Sequence, residues 1–180
     1  MWYALNAQTD VAHAAAWLYF GEKTEIRDFI HQIKYKQGRR LAAWAGRYYG
    51  AILSELPQWK AADAMIPVPM HWRKKYSRGF NQAEELARGM SQSLGLPVWT
   101  DVVRKKRPTQ SQTKHGRTTR MENVRDTLEV VNPQKIQGKT CIIVDDVMTT
   151  GATCIALAQR LNQAGAKSVL VCCLATAQKE

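Results

Sequence analysis

Residues 141–153, Cys-Ile-Ile-Val-Asp-Asp-Val-Met-Thr-Thr-Gly-Ala-Thr, constrain this chain more than any other stretch. Apolar, mostly β-branched residues in succession suit a strand buried on both faces, as in a parallel sheet. Two carboxylates stand at its carboxyl end, and a Thr/Gly loop then opens a predicted helix over 151–164 with Gly165 at its end. Open α/β sheets bind ligands at this point, outside the carboxyl ends of the strands. The first N–H groups of the helix have no intrahelical acceptor and the dipole adds positive potential, so a phosphate can take those bonds together with the Thr hydroxyls. Gly151 lets the backbone approach closely. Asp145 and Asp146 would repel a phosphate in contact, so they are expected to accept hydrogen bonds from sugar hydroxyls or to hold Mg²⁺ or its waters. A phosphorylated sugar satisfies both halves. An ordinary core strand with a Thr-rich cap would explain the apolar run and the threonines but not the paired acids.

The rest of the chain reads as strands and helices in alternation. Ile26, Phe29, Ile30 and Ile33 recur at helical spacing, with Thr24 as cap and Gly38 as stop; a second helix over about 40–55 carries Leu41, Trp44, Ala45, Tyr48, Tyr49 and Ile52 on one stripe. The first part is thus read as helical. A short strand over 65–69 runs into a basic loop containing Arg73, Lys74, Lys75 and Arg78. A third helix follows over 81–94, capped by Asn81 with Phe80 as a hydrophobic staple and closed by Gly95 and Pro97. Weak strand character follows at 98–104. Residues 104–126 hold almost no apolar side chain and read as a long loop or arm. Strands at 140–144 and 168–174 complete an α/β parallel sheet flanked by helices. The expected division is a helical subdomain over 1–61 and a sheet domain over 62–180.

Charge is distributed unevenly. Of the net +11, nine charges lie in residues 71–125, which carry 13 basic and 4 acidic side chains. That concentration suits an anionic partner, a polyphosphate or a nucleic acid, as readily as a solvated loop. The longest apolar runs, residues 14–20 and 169–175, are seven long, against the roughly 20 residues of a membrane-spanning helix. The N-terminus lacks the basic start of a secretory signal. No two of Cys141, Cys154, Cys172 and Cys173 have metal-binding or redox-pair spacing, so they read as buried thiols, as expected of a cytoplasmic protein. Cys172 and Cys173 are adjacent on a strand and must face opposite ways. The six tryptophans fit core or interface positions, or stacking platforms for bases.

The 141–153 stretch resembles the phosphoribosyl-pyrophosphate signature of type I phosphoribosyltransferases. That resemblance implies a type I phosphoribosyltransferase-like fold in which Asp145, Asp146, Val147, Met148, Thr149, Thr150, Gly151, Ala152 and Thr153 bind phosphoribosyl pyrophosphate, Asp145 and Asp146 on the ribose hydroxyls and Thr149, Thr150, Gly151, Ala152 and Thr153 around the 5′-phosphate. It also implies Mg²⁺ carried on the diphosphate. A second resemblance covers about 20–178: Tyr19-Phe20-Gly21, Ile33-Lys34-Tyr35-Lys36, Ile66-Pro67-Val68-Pro69-Met70-His71, Arg78-Gly79-Phe80-Asn81-Gln82, then Thr109, Gln112, Arg120, Asn123 and Val124 are similar to the competence protein F (ComF) family. Many members begin with a four-cysteine zinc ribbon, and this sequence starts after the point where it would stand.

The resemblance implies that His71, Arg73, Lys74 and Arg78 bind pyrophosphate, against the plain alternative that they face solvent. Lys114, His115, Arg117 and Arg120 lie where such enzymes carry a lid, which makes the first three the catalytic candidates. Thr149 stands where hypoxanthine-guanine enzymes place a carboxylate, and the sequence ends six residues after Leu174, so an acceptor site would have to be built by the N-terminal helices. Two functions follow as expectations. One is a ComF-type module that binds phosphoribosyl pyrophosphate or ribose 5-phosphate and serves DNA uptake, with single-stranded DNA or an uptake helicase as partner. The other is an active phosphoribosyltransferase of unknown acceptor.

Overall fold

The computed structural model describes residues 5, 9–21, 25–35, 38–106 and 127–177. In chain order the elements are β1 (His13–Phe20), α1 (Glu25–Ile33), α2 (Gly38–Ser54), α3 (Pro57–Lys60), β2 (Ala64–Pro67), α4 (Trp72–Arg78), α5 (Gln82–Leu94), β3 (Val103–Lys105), β4 (Leu128–Val130), β5 (Thr140–Met148), α6 (Ala152–Gln163) and β6 (Ser168–Ala177). The main sheet runs β1-β6-β5-β2 and every pairing in it is parallel. A separate antiparallel ribbon joins β3 to β4.

Side-chain alternation along the two central strands splits the interior into two layers. Cys141, Ile143, Val169, Val171 and Cys173 meet α6, the β3–β4 ribbon and Leu5. Ile142, Val144, Leu170, Cys172 and Leu174 meet α1, α2, α3 and α5. Cys172 and Cys173 thus occupy opposite faces, and all four cysteines are buried thiols outside any disulfide.

The N-terminal reading changes most. Residues 13–20 are a strand rather than part of a helical segment, and β1 pairs with β6 in register His13↔Leu170 to Phe20↔Ala177. Gly38 opens α2 instead of stopping α1. The inward stripe of α2 is also displaced from the expected one. Ala42, Ala45, Gly46, Tyr49, Gly50 and Leu53 face inward, whereas Trp44, Tyr48 and Ile52 are about half exposed. The cause is the approach of α5. A Cβ at Gly46 would overlap the Leu86 carbonyl, and one at Gly89 would overlap the Ala43 carbonyl. Only the small-residue face of α2 can come that close, which turns the aromatic face outward. Arg39 on α2 pairs with Glu85 on α5 at 2.8 Å. Among the other tryptophans, Trp59 is buried, Trp17 stacks on Tyr49 with centroids 6.0 Å apart, and Trp72 is exposed. Trp2 and Thr24 lie outside the described residues.

Gly46→Ala is therefore expected to destabilise the fold by about 1–3 kcal/mol, because backbone atoms must move to admit the methyl group. A urea titration would show the midpoint falling, and an unchanged midpoint would mean that the helices are not in backbone contact.

Other differences are local. Residues 98–104 do not form one strand: Val98 makes a single parallel bridge to Met65, and β3 begins at Val103. Strand β5 runs through the acidic pair to Met148, further than the apolar run alone implied. Helix α6 keeps its expected place, starting at Ala152 after Gly151.

Candidate functional site

The carboxyl end of β5 and the segment after β2 face each other across a cleft of about 390 Å³. Sheet geometry brings them together, since β2 pairs directly with β5 through Pro67↔Val144 and both strands end on the same side. From β5 and the start of α6 the cleft takes Asp145, Asp146, Val147, Thr149 and Thr153. From the segment after β2 it takes His71, Lys74 and Arg78.

The expected basic loop is in fact helix α4. His71 caps it, its Nδ1 accepting the Arg73 N–H at 3.3 Å, and Gly79 closes it in the left-handed region with φ +82°. The helical period then sorts the bases. His71, Lys74 and Arg78 stand at i, i+3 and i+7, one face, and that face meets the cleft. Arg73 lies off it and is not among the cleft residues; its guanidinium sits 5.3 Å from the Trp72 ring centroid. Lys75 pairs with Glu84 at 3.1 Å. Because Nδ1 of His71 is an acceptor, the neutral ring carries its proton on Nε2, which is buried and without a hydrogen-bond partner among the described residues. Asn81 braces this wall. Its Nδ2 donates to the Val68 carbonyl at 3.0 Å while Oδ1 accepts the Ala83 N–H, so the cap of α5 also fixes the strand exit.

On the opposite wall each acid uses one oxygen on the backbone. Asp145 Oδ1 accepts the Asp146 N–H and Asp146 Oδ1 accepts the Val147 N–H, both at 2.9 Å. Neither carboxylate is in an ion pair among the described residues. Burial holds the Asp145 carboxyl well above the ordinary range, and the charge of Asp146 adds to this. The Cys154 thiol lies 3.7 Å from Asp145 Oδ2. No side chain caps α6, and Thr150 Oγ1 accepts the Ala152 N–H only at 3.4 Å. The helix thus begins with donors turned toward the loop. Met148 and Gly151 are buried beside the cleft, not in its lining, and Thr150 and Ala152 are not lining residues either.

Two cations in the cleft were not singled out from the sequence. Lys34 reaches it from the end of α1, and Lys105 from β3. Lys105 titrates below its usual range because burial removes it from water and Lys74 repels it. Lys34 belongs to one of the ComF-like stretches, a signal that could have found it. Lys105 sits in a run of bases with nothing to set it apart. Lys114, His115, Arg117 and Arg120 lie outside the described residues. No group of three or more His, Cys, Asp or Glu suited to a metal ion occurs among the described residues, and none of their helices is long and apolar enough to cross a membrane.

The phosphoribosyl transferase domain family matches residues 77–180. A curated relative, DNA utilization protein YhgH of Shigella flexneri, is 32% identical over 154 residues, 83% of this chain and 66% of that protein. Competence protein F of Haemophilus influenzae is 30% identical over 121 residues, 67% of this chain and 53% of its own length. The chain thus spans just under two thirds of the first relative and about half of the second. Among solved structures, glutamine phosphoribosylpyrophosphate amidotransferase from B. subtilis aligns with TM-score 0.48 at 24% identity, over 72% of this chain and 26% of that one.

Proposed function

This chain belongs to the phosphoribosyl transferase domain family, and from that premise we propose that its cleft binds ribose 5-phosphate or phosphoribosyl pyrophosphate, as a ComF-type module serving DNA uptake. The observation that carries this reading is the single cleft uniting Asp145, Asp146, Thr149 and Thr153 with His71, Lys74 and Arg78. Asp145 and Asp146 accept hydrogen bonds from the ribose hydroxyls, and the uncapped start of α6 with Thr149 and Thr153 takes the 5′-phosphate. His71 Nε2 offers its proton to an anionic oxygen, and Lys74 and Arg78 neutralise the diphosphate.

Mg²⁺ fits this donor set. Two carboxylates in no ion pair among the described residues suit a hard cation that keeps most of its waters. When bound, Mg²⁺ would supply charge neutralisation of the diphosphate. Calorimetric titration with phosphoribosyl pyrophosphate and Mg²⁺ tests the site, and heat indistinguishable from dilution would reject it. An assay for pyrophosphate release across a panel of bases then separates a binding module from a transferase. A second reading, an active transferase, is favoured by Lys74 and Lys105, two mutually repelling cations that a bound diphosphate would reconcile and that would stabilise the extra charge gathering on it as its bond to the ribose breaks.

The names of the YhgH and competence relatives support a setting in DNA handling, and the basic surplus of residues 71–125, concentrated at 73–78 and 104–125, supports contact with single-stranded DNA or an uptake helicase. DNA held that way should weaken steeply as salt rises and survive Asp146→Ala, while any phosphoribosyl transfer should not survive it. Fluorescence anisotropy of a labelled oligonucleotide, run beside the pyrophosphate assay, reads both. Salt-insensitive binding would discount the phosphate-contact account.

A further inference from the structure

We infer that the outer face of α2, with the groove it forms against α1, docks an amphipathic helix of a partner protein flanked by acidic residues. This does not rest on the ribose-phosphate reading, since the groove and the cleft share no lining residue. Trp44, Tyr48 and Ile52 recur every four residues along α2 with 50%, 55% and 50% of their surface exposed, and Leu56 continues the row at 40%. Isolated exposed apolar side chains are ordinary in a soluble protein, whereas a continuous row of large ones marks a contact surface. The row lies along the ridge that a second helix packs against, the i, i+4 spacing of helix-in-groove recognition. Beside it the groove encloses about 1130 Å³, with Tyr35, Arg40, Leu41 and Trp44 in its walls. That exceeds the roughly 300–1,000 Å³ usual for a small-molecule pocket.

Charge selects the occupant. Residues 38–56, which span the row, contain Arg39, Arg40 and Arg47 against a single carboxylate, Glu55. Arg39 is engaged by Glu85, while Arg40 and Arg47 are exposed and in no ion pair among the described residues. A second copy of this chain would set guanidinium against guanidinium, which disfavours self-association through this face. A nucleic acid strand would suit the arginines but needs open ring faces. Here Trp44 and Tyr48 pack on each other at 4.8 Å between centroids, Tyr35 packs on His31 at 4.6 Å, and Ile52 and Leu56 have no π face. Aliphatic and aromatic side chains in a helical row, bordered by unpaired arginines, match an apolar helix stripe bordered by Glu or Asp.

The test uses the full chain and a labelled 18-residue peptide with leucine at alternating three- and four-residue spacing and glutamate between, beside its lysine-for-glutamate counterpart. Anisotropy should show the glutamate peptide bound in preference to the lysine peptide. Tyr48→Glu should weaken it at least about tenfold, Tyr48→Phe should retain it, and Arg40→Glu with Arg47→Glu should invert the preference. All these positions are exposed, and a melting curve checks that each variant folds. No binding, equal binding of both peptides, or binding indifferent to Tyr48→Glu would overturn the proposal. So would a labelled dT20 strand, or a dimer seen by sedimentation, that is lost in Tyr48→Glu, assigning the face to nucleic acid or to a second copy.

Discussion

Asp145→Asn is expected to make the free protein more stable and to weaken its grip on ribose 5-phosphate. The carboxyl of Asp145 is desolvated and faces the charge of Asp146, which together hold it well above its ordinary value of 3.8. A carboxyl raised in the folded state binds its proton more tightly there than in the unfolded chain. Its contribution to stability is therefore full below about pH 4 and falls as pH rises toward the folded value, where it levels off. At neutral pH the group is a standing cost. Asparagine keeps the oxygen that accepts the Asp146 N–H and removes the charge; it gives up only the weak acceptor 3.7 Å from the Cys154 thiol. A gain of about 1 kcal/mol is expected, within the range that relieving a strained functional site provides. Melting temperature followed between pH 4 and 8 should rise in the variant and lose part of the wild-type decline. Binding moves the other way, since hydrogen bonds to a charged acceptor contribute about 1.5–3 kcal/mol each, or roughly 10- to 150-fold in affinity. A variant that melts lower and binds as before would mean that Asp145 serves the fold and not the ligand.

That opposition between stability and binding also explains which parts of this protein were legible in its sequence. Residues 141–153 could be read because one short stretch carries both halves of the arrangement, a run too apolar to be exposed and a pair of acids too polar to be buried without purpose. The cap at Asn81 could be read for a similar reason, since its side chain bonds within two residues of itself. Helix α4 was hidden because none of its residues is buried, leaving no apolar period to detect; its signal lay in the 71, 74, 78 spacing of the bases. Strand β1 was hidden in the opposite way. An apolar run of seven has no period, so nothing in it distinguishes a buried strand from a piece of helix. The outward turn of Trp44 and Tyr48 was not local at all: it follows from Gly46 and Gly50 on α2 meeting Leu86, Gly89 and Met90 on α5, more than thirty residues away. Lys34 and Lys105 enter one cleft from segments about seventy residues apart, and only the assembled sheet places them there.

Gly151→Val should cost the protein its phosphate site more completely than loss of any single side chain, because the site is made of backbone. Gly151 lies at φ +75°, a conformation that β-branched residues rarely adopt, and a Cβ there would come within 3.0 Å of Leu5 Cδ2 and 3.5 Å of the Met148 sulfur. The chain cannot keep that geometry, and the residue it would displace is the cap from which α6 starts. Moving it turns away the first N–H groups of the helix, each worth about 1.5–3 kcal/mol to an anion, and shifts Thr149 and Thr153 with them. Affinity for ribose 5-phosphate is expected to fall at least about a hundredfold, with a stability loss of about 1–3 kcal/mol from the strained backbone. Gly79→Val separates the two effects. Gly79 also has a positive φ, +82°, yet nothing lies within 4 Å of where its Cβ would stand, so that variant should bear the backbone strain at the end of α4 and retain most of its phosphate affinity. Titrating inorganic phosphate and ribose 5-phosphate into both variants decides the matter: if Gly151→Val binds as tightly as Gly79→Val, the turn after β5 is a helix cap and nothing more.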